Sequence, residues 1–167
     1  MNALTQCGFV YDVATRSKAD GALIEALHAR NRVPGEGLNL VASAIFAGGP
    51  VPGQLHIGLW TGAYSPNGTE TATTLPTLVT ELTAYEGTTR KLFVPGAVAD
   101  GGCSNAASLA IFNFSADAVV NGAFISTAPA KGATNGALLS VVRFPAARPV
   151  DASVYLEILS GFQFLSM

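Results

Sequence analysis

Charged residues are scarce in this 167-residue chain: they make up 12% of it, whereas hydrophobic residues make up 49%. Globular proteins carry about 25% charged residues on average. Disordered chains are rich in charge and poor in apolar residues, so this composition excludes a disordered chain. A surface with so few charges is either solvated by Thr, Ser, Asn and Gly or covered in part by other subunits.

Clusters of basic residues are also lacking. The formal net charge is -2, and the densest basic pairs are Arg30 with Arg32 and Arg90 with Lys91. Proteins that bind nucleic acid concentrate Lys and Arg in order to displace counterions from the phosphates. We therefore expect no nucleic-acid partner.

The residue types that carry most enzyme chemistry are few and scattered. Two cysteines, Cys7 and Cys103, are too few for a disulfide framework or a four-ligand zinc site, and the sequence leaves open whether they pair. The two histidines, His28 and His56, lie far apart, and no Gly-x-Ser-x-Gly nucleophile elbow is present. The acidic residues are too dispersed for a calcium loop. We expect no enzyme, no cofactor and no metal.

A long hydrophobic run is missing as well. Residues 37–69 contain no Asp, Glu, Lys or Arg, but Gly48-Gly49-Pro50-Val51-Pro52-Gly53 interrupts this stretch in its middle. A membrane-spanning helix needs about 20 continuous apolar residues. Residues 1–9 lack both a basic region and a long apolar run. We therefore expect neither a membrane span nor a secretion signal.

What the chain does contain is a series of short alternating segments separated by Gly- and Pro-rich turns. The predicted strands cover residues 7–13, 55–60, 108–114, 119–126, 137–144 and 153–164, and residues 81–93 are predicted to be extended with a turn interruption at Glu86-Gly87. Asn121-Gly122 offers a competing hairpin turn, and Pro145 and Pro149 bracket a connection between the last two strands. This pattern predicts one mostly β domain over residues 1–167, an antiparallel β-sandwich or a jelly-roll-like barrel.

One short helix is predicted over residues 38–46. Leu38, Val41, Ala42 and Ile45 have the spacing of one helical face, and Gly48-Gly49 ends the pattern. A helix of this length is unstable alone, so it must dock on an apolar surface. Residues 23–33 fit both a helical face and a strand's period of two, and residues 1–33 form either an arm or edge strands.

Several motifs, taken in order along the chain, resemble a group of small virion proteins of tailed bacteriophages. The motifs are Pro34-Gly35-Glu36-Gly37-Leu38-Asn39, Ile57-Gly58-Leu59-Trp60, Glu81-Leu82-Thr83-Ala84-Tyr85 with Thr89-Arg90, Ala110-Ile111-Phe112-Asn113-Phe114, Asn121-Gly122-Ala123-Phe124-Ile125 and Leu139-Ser140-Val141-Val142-Arg143-Phe144. The resemblance spans roughly residues 31–159 and favours a strand over residues 23–33. It brings no catalytic residues.

This resemblance implies a virion structural protein. The first expectation is a capsid decoration (cement) protein that bridges subunits of the major capsid protein, forms a homo-oligomer and lies on the capsid surface of the virion. The alternative is a tail- or fibre-associated structural or receptor-binding sandwich, in which Trp60 and Tyr64 are the candidate aromatic residues of a sugar groove. In either case the chain is made in the host bacterial cytoplasm.

Candidate interface residues lie in two charge-poor loops and at the C-terminal end. Residues 62–77 and 128–135 form the loops, which either contact a capsid or a neighbouring subunit or are simply solvated. Tyr85 and Arg90 stabilise a turn or an interface, and the apolar C-terminal residues either pack into a neighbour or end the last strand. The candidates are Tyr64, Asn67, Thr69, Tyr85, Arg90, Lys131, Phe162 and Phe164.

Overall fold

The computed structural model describes residues 6–31 and 33–165, and this part of the chain forms ten strands and two helices. The strands are β1 Gln6–Ser17, β2 Leu23–Arg30, β3 Leu55–Thr61, β4 Thr80–Leu82, β5 Lys91–Phe93, β6 Gly102–Ser104, β7 Ala110–Asn113, β8 Ala118–Ser126, β9 Leu138–Val150 and β10 Val154–Leu165. The helices are α1 Gly35–Phe46 and α2 Leu75–Leu78.

The strands form two antiparallel sheets rather than one closed barrel, so of the two predicted architectures the chain adopts the β-sandwich. In the first sheet the order is β2-β1-β10, and β6 and β7 pair with different parts of the free edge of β10. In the second sheet the order is β3-β8-β9, and β4 and β5 share the free edge of β3. Each sheet therefore has one edge built from two short strands.

The main core lies between the two sheets because alternate residues of the strands point inward. Tyr11 and Val13 of β1 meet Ile57 and Leu59 of β3 there, together with Phe112 of β7. Full burial of a large apolar side chain stabilises the fold by about 1.5–3 kcal/mol. The alternating apolar residues from which the strands are predicted are thus the residues that form this core.

Helix α1 is confirmed, but it begins at Gly35 and docks through a different face from the one predicted. Gly37 is buried, and a Cβ on this residue would lie 2.8 Å from the backbone oxygen of Leu138. Because Gly37 lacks that atom, the helix approaches β9 on the side of Gly37, and Leu40 packs against the core. Leu38 and Ile45, which belong to the predicted docking face, are 44% and 59% exposed.

Two connections differ from the sequence prediction. Strand β9 runs through Pro145 and Pro149, which were predicted to bracket a loop. It can do so because β9 is an edge strand of its sheet. On the outer side of an edge strand no neighbouring strand needs the backbone N–H that proline lacks. Asn121-Gly122 forms no hairpin: β8 continues through it with a shift of register between Val120 and Gly122.

The loop predicted over residues 62–77 ends in the single-turn helix α2, which the sequence did not predict. Within residues 1–33, β1 lies between β2 and β10, while β2 is an edge strand, and the strand favoured for residues 23–33 is present over Leu23–Arg30. No helix in the described ranges is long and apolar enough to span a membrane.

Candidate interaction surface

The outer face of the second sheet is covered by a layer of loops. We call residues 62–79 and 128–136 the loop layer. From it, Ala72, Leu75 and Val79 pack on a second apolar cluster whose sheet residues include Trp60 and Phe124. Trp60 is fully buried because Gly122 on the neighbouring strand leaves room for its ring: a Cβ on Gly122 would lie 2.4 Å from the indole.

The carboxylate of Glu70 organises the first half of the loop layer. It is 1% exposed and accepts hydrogen bonds from the Tyr64 hydroxyl at 2.6 Å, from the backbone N–H of Asn67 at 2.6 Å and from that of Gly68 at 2.9 Å. Burial opposes ionisation, but these donors favour the charged form and the pKa of Glu70 is lowered overall. The carboxylate therefore holds residues 64–70 in one conformation.

Arg90 organises the second half. Its guanidinium is 4% exposed and forms a two-pronged ion pair with Glu81, with nitrogen–oxygen distances of 2.9 and 2.8 Å. It also donates to the Ser126 hydroxyl at 2.9 Å and to the backbone oxygens of Ala128 and Ala133 at 3.0 Å each. A buried charge must be paired and hydrogen-bonded in this way to be tolerated.

The two halves are joined to each other and to α1. The Thr73 hydroxyl donates to the backbone oxygen of Thr134 at 3.2 Å. Glu36, in the first turn of α1, accepts from the backbone N–H groups of Ala72 and Leu138 at 2.8 and 2.7 Å. The loop layer is therefore one connected unit fixed by three acidic side chains and one arginine.

Lys131 and Tyr85 close the rim of this unit. The Lys131 ammonium donates to the backbone oxygens of Thr83 and Tyr85 at 2.9 and 2.7 Å and lies 3.7 Å from the centre of the Tyr85 ring. Tyr85 itself is buried and packs edge-on against Phe112. Burial raises the pKa of the Tyr85 hydroxyl. These contacts fix the turn between β4 and β5.

His56 lies under the loop layer next to these ionic residues. It is 7% exposed, and its Nδ1 has no hydrogen-bond partner in the described part of the molecule. Burial and the positive charge of Arg90 lower the pKa of His56. Ser126 is its cross-strand neighbour, but the Ser126 hydroxyl is held by Arg90. Arg90 and Ser126 both donate to the backbone oxygen of Ala128, so this arrangement orders the loop layer.

The cavity beside Glu81 and Arg90 is not lined by His56. The space between Glu81, Arg90 and Phe124 is about 20 Å³, enough for about one water molecule. In the same ranges, no group of three or more His, Cys, Asp or Glu side chains could hold a metal ion.

The predicted interface residues fall into three groups. Asn67 and Thr69 are exposed in the loop layer, whereas Tyr64 is half-buried against it. Tyr85, Arg90 and Lys131 make the internal contacts described above. Phe162 is half-buried beside Phe9, and Phe164 is 42% exposed and packs edge-on against Phe162.

Two further sequence questions have structural answers. Trp60 is fully buried and donates to the backbone oxygen of Ala123, so it lines no sugar groove with Tyr64. Cys7 pairs with Phe164 and Cys103 with Phe162, on opposite sides of β10. Their backbones are thus two strand spacings apart, about 9.5 Å, whereas the Cα atoms of a disulfide are at most about 6.8 Å apart.

No sequence signal marks the acidic residues that organise this surface. Glu36, Glu70 and Glu81 are isolated acids in the chain, and nothing in their spacing shows that each accepts two or more hydrogen bonds. No protein-family model matches the chain, and no curated protein matches it significantly. What the fold and this surface define is a β-sandwich with one rigid, mostly uncharged loop layer.

Proposed function

We propose that this chain is a structural protein of a tailed-bacteriophage virion, a decoration protein of the head, and that the loop layer is its capsid-facing surface. The observation that carries the proposal is the loop layer itself, in which buried Glu70 and Arg90 hold long polar loops in one conformation. The proposed role is binding, and no chemical step is assigned to it.

A rigid polar loop layer suits a binding role because ordering flexible loops on association costs free energy. Each immobilised side chain costs about 0.5–1.5 kcal/mol at an interface. Here internal hydrogen bonds have already ordered the loops before a partner arrives. The outward-facing residues are small and uncharged, among them Thr69, Thr73, Thr77 and Asn135, and such a surface can approach another subunit without burying a charge.

The charge-poor composition supports the same proposal. Subunits that remain assembled have more apolar, charge-depleted interfaces than ordinary protein surfaces. A decoration protein also acts in many copies, so weak contacts at each site add up through avidity. Neither requirement calls for a catalytic residue.

Quantitative mass spectrometry and imaging of purified virions test the proposal. We expect the chain on the head at a copy number comparable with that of the capsid lattice. A few copies confined to the tail would overturn the head assignment and support the tail- or fibre-associated alternative. Absence from virions would overturn the virion role altogether.

The surface assignment is tested separately by rebinding purified protein to virions that lack it. Asn135→Arg adds a charge to the exposed loop layer, and we expect it to weaken rebinding at least tenfold. Ser115→Arg is the matched control, because it adds the same charge to an exposed turn after β7, in the other sheet. Equal rebinding by both variants would remove the loop layer from the interface.

A further inference from the structure

One end of the sandwich carries few charges. At this end β3 begins, β5 ends and β10 ends, with Leu55 opposite Phe93 and Phe162 opposite Cys103. Residues 37–61, 92–99 and 158–165, which form this end and the elements leading to it, contain no Asp, Glu, Lys or Arg. Arg30, Glu36 and Asp100 lie at its border, Asp100 in the hairpin next to Phe164. Large exposed apolar residues gather here: Ile45, Phe46, Val51, Leu92, Val94, Val98 and Phe164.

Helix α1 lies across this end and is apolar on two sides. One side, with Gly37, Leu40 and Val41, packs toward the sandwich. The other side, with Leu38, Ile45 and Phe46, faces solvent, and Phe46 is 85% exposed. The solvent-facing side also carries the exposed Asn39, and on it Leu38, Ile45 and Phe46 form an apolar patch that is open to a partner.

Beneath α1 is a cavity with wholly apolar walls and a volume of about 150 Å³. Its lining residues include Phe9, Val41, Leu55, Phe93, Cys103 and Phe162. An enclosed apolar cavity of about this volume accepts a benzene molecule. The side chain of phenylalanine ends in the same ring.

We propose that a second copy of this chain docks at this end and seats its Phe46 ring in the cavity. Ring and cavity match in size and polarity. A surface with few charges also brings few like charges together when it meets its own copy, and like charges in contact would cost free energy.

In a twofold-symmetric dimer each copy donates one Phe46 ring and receives the other in its own cavity, as in the self-complementary interfaces of most homodimers. With about 200 Å² for each fully exposed large residue, the apolar residues at this end expose on the order of 800 Å², which is what each partner of a standard interface buries.

The first test is the mass of the purified protein as a function of concentration, by light scattering and analytical ultracentrifugation. We expect a concentration-dependent dimer for the natural sequence and at least tenfold weaker association for Phe46→Ser. Val119→Ser is the matched control, because Val119 is 44% exposed near Asp117 and Asp151, at another part of the surface. A natural sequence that stays monomeric up to its solubility limit, or Phe46→Ser that dimerises normally, overturns the proposal.

A complementation test separates direct contact from loss of folding. Val41→Phe fills the cavity and leaves Phe46 in place, whereas Phe46→Ser leaves the cavity open. Each variant alone should be mostly monomeric, and an equal mixture should form mixed dimers with one ring in one cavity. If the mixture forms no more dimer than the separate variants, although both melt cooperatively, the ring-in-cavity contact is wrong.

The thiol of Cys103 supplies a local readout, since it lines the cavity. In a Cys7→Ser background, a small maleimide should modify Cys103 at least severalfold more slowly in the dimer than in the Phe46→Ser variant at the same concentration. Equal rates would overturn the proposal. All three measurements use the isolated protein, so their failure leaves the virion assignment untouched, and absence of the chain from virions leaves them untouched in turn.

Discussion

At the scale of single residues, the stability of this protein depends on a few buried polar groups. Arg90 has its guanidinium nitrogens shared among Glu81, Ser126 and two backbone oxygens, and it lies 4.8 Å from the centre of the Phe124 ring. Removing one partner from such a network leaves the others buried without compensation. Truncating one side chain of this network should therefore cost more stability than the loss of its own hydrogen bonds.

We expect Arg90→Met to lower the free energy of unfolding by about 3–5 kcal/mol, because it leaves the Glu81 carboxylate unpaired in a largely buried site. Urea unfolding followed by circular dichroism measures this change. Arg143→Met is the control: Arg143 is exposed and makes one hydrogen bond, to the backbone oxygen of Tyr64, so its loss should cost at most about 1 kcal/mol. Similar losses for both variants would contradict the role given to Arg90.

His56 should make stability depend on pH. Its pKa is lowered in the folded protein, first by burial and then by Arg90, from an ordinary value of 6.5. Below that pH the unfolded chain binds a proton that the folded chain does not, so stability falls as the pH decreases through this range.

We expect the natural sequence to lose up to about 1 kcal/mol between pH 7.5 and pH 5.5 through this one group. His56→Gln should remove that loss, whereas His28→Gln, which alters the exposed histidine, should retain it. Urea unfolding at the two pH values is the measurement. A loss that is unchanged in His56→Gln would show that another group is responsible.

At the scale of elements, helix α1 shows where pattern and packing diverge. Its apolar residues predict a helix, and the helix is present. The face that docks is nevertheless set by Gly37, whose missing side chain allows contact with the backbone of β9. Hydrophobic spacing alone selected Leu38 and Ile45, which are exposed.

We expect Gly37→Ala to lower the free energy of unfolding by about 1–3 kcal/mol, because a Cβ would meet the Leu138 oxygen at 2.8 Å. Gly35→Ala, in the same helix, should be neutral or stabilising by up to about 1 kcal/mol, because its Cβ would meet its nearest neighbour at 3.8 Å. Thermal and urea unfolding of the Gly37→Ala and Gly35→Ala variants measure the two changes in stability. Equal destabilisation by both would show that α1 docks differently.

At the scale of the whole molecule, several charged turns lie far from the apolar end, and Glu36 and Asp100 lie at its border. Lys18, Asp20, Asp117 and Asp151 lie on turns away from the apolar end, at the connections between β1 and β2, β7 and β8, and β9 and β10. Self-association through the apolar end should then have the salt dependence of apolar burial rather than that of ion pairing.

We expect sodium chloride to leave the proposed dimer nearly unchanged and ammonium sulfate to strengthen it. Ionic contacts weaken as salt screens them, whereas sulfate favours apolar burial. Sedimentation velocity over a series of each salt gives the dissociation constants. A dimer that dissociates in sodium chloride would place charged residues at the contact instead.

The sequence by itself determined the fold class, most of the strands, the existence of α1 and the scarcity of charge, because alternation, helical spacing and composition are local properties of the chain. The sandwich, the edge position that lets β9 pass through Pro145 and Pro149, and the face through which α1 docks were decided by tertiary contacts. The loop layer was too, since Glu36 accepts from Leu138 and Arg90 donates to Ala133, residues far away in the chain. Hydrogen bonds of this kind depend on proximity in space, and single residues in a sequence carry no record of that proximity.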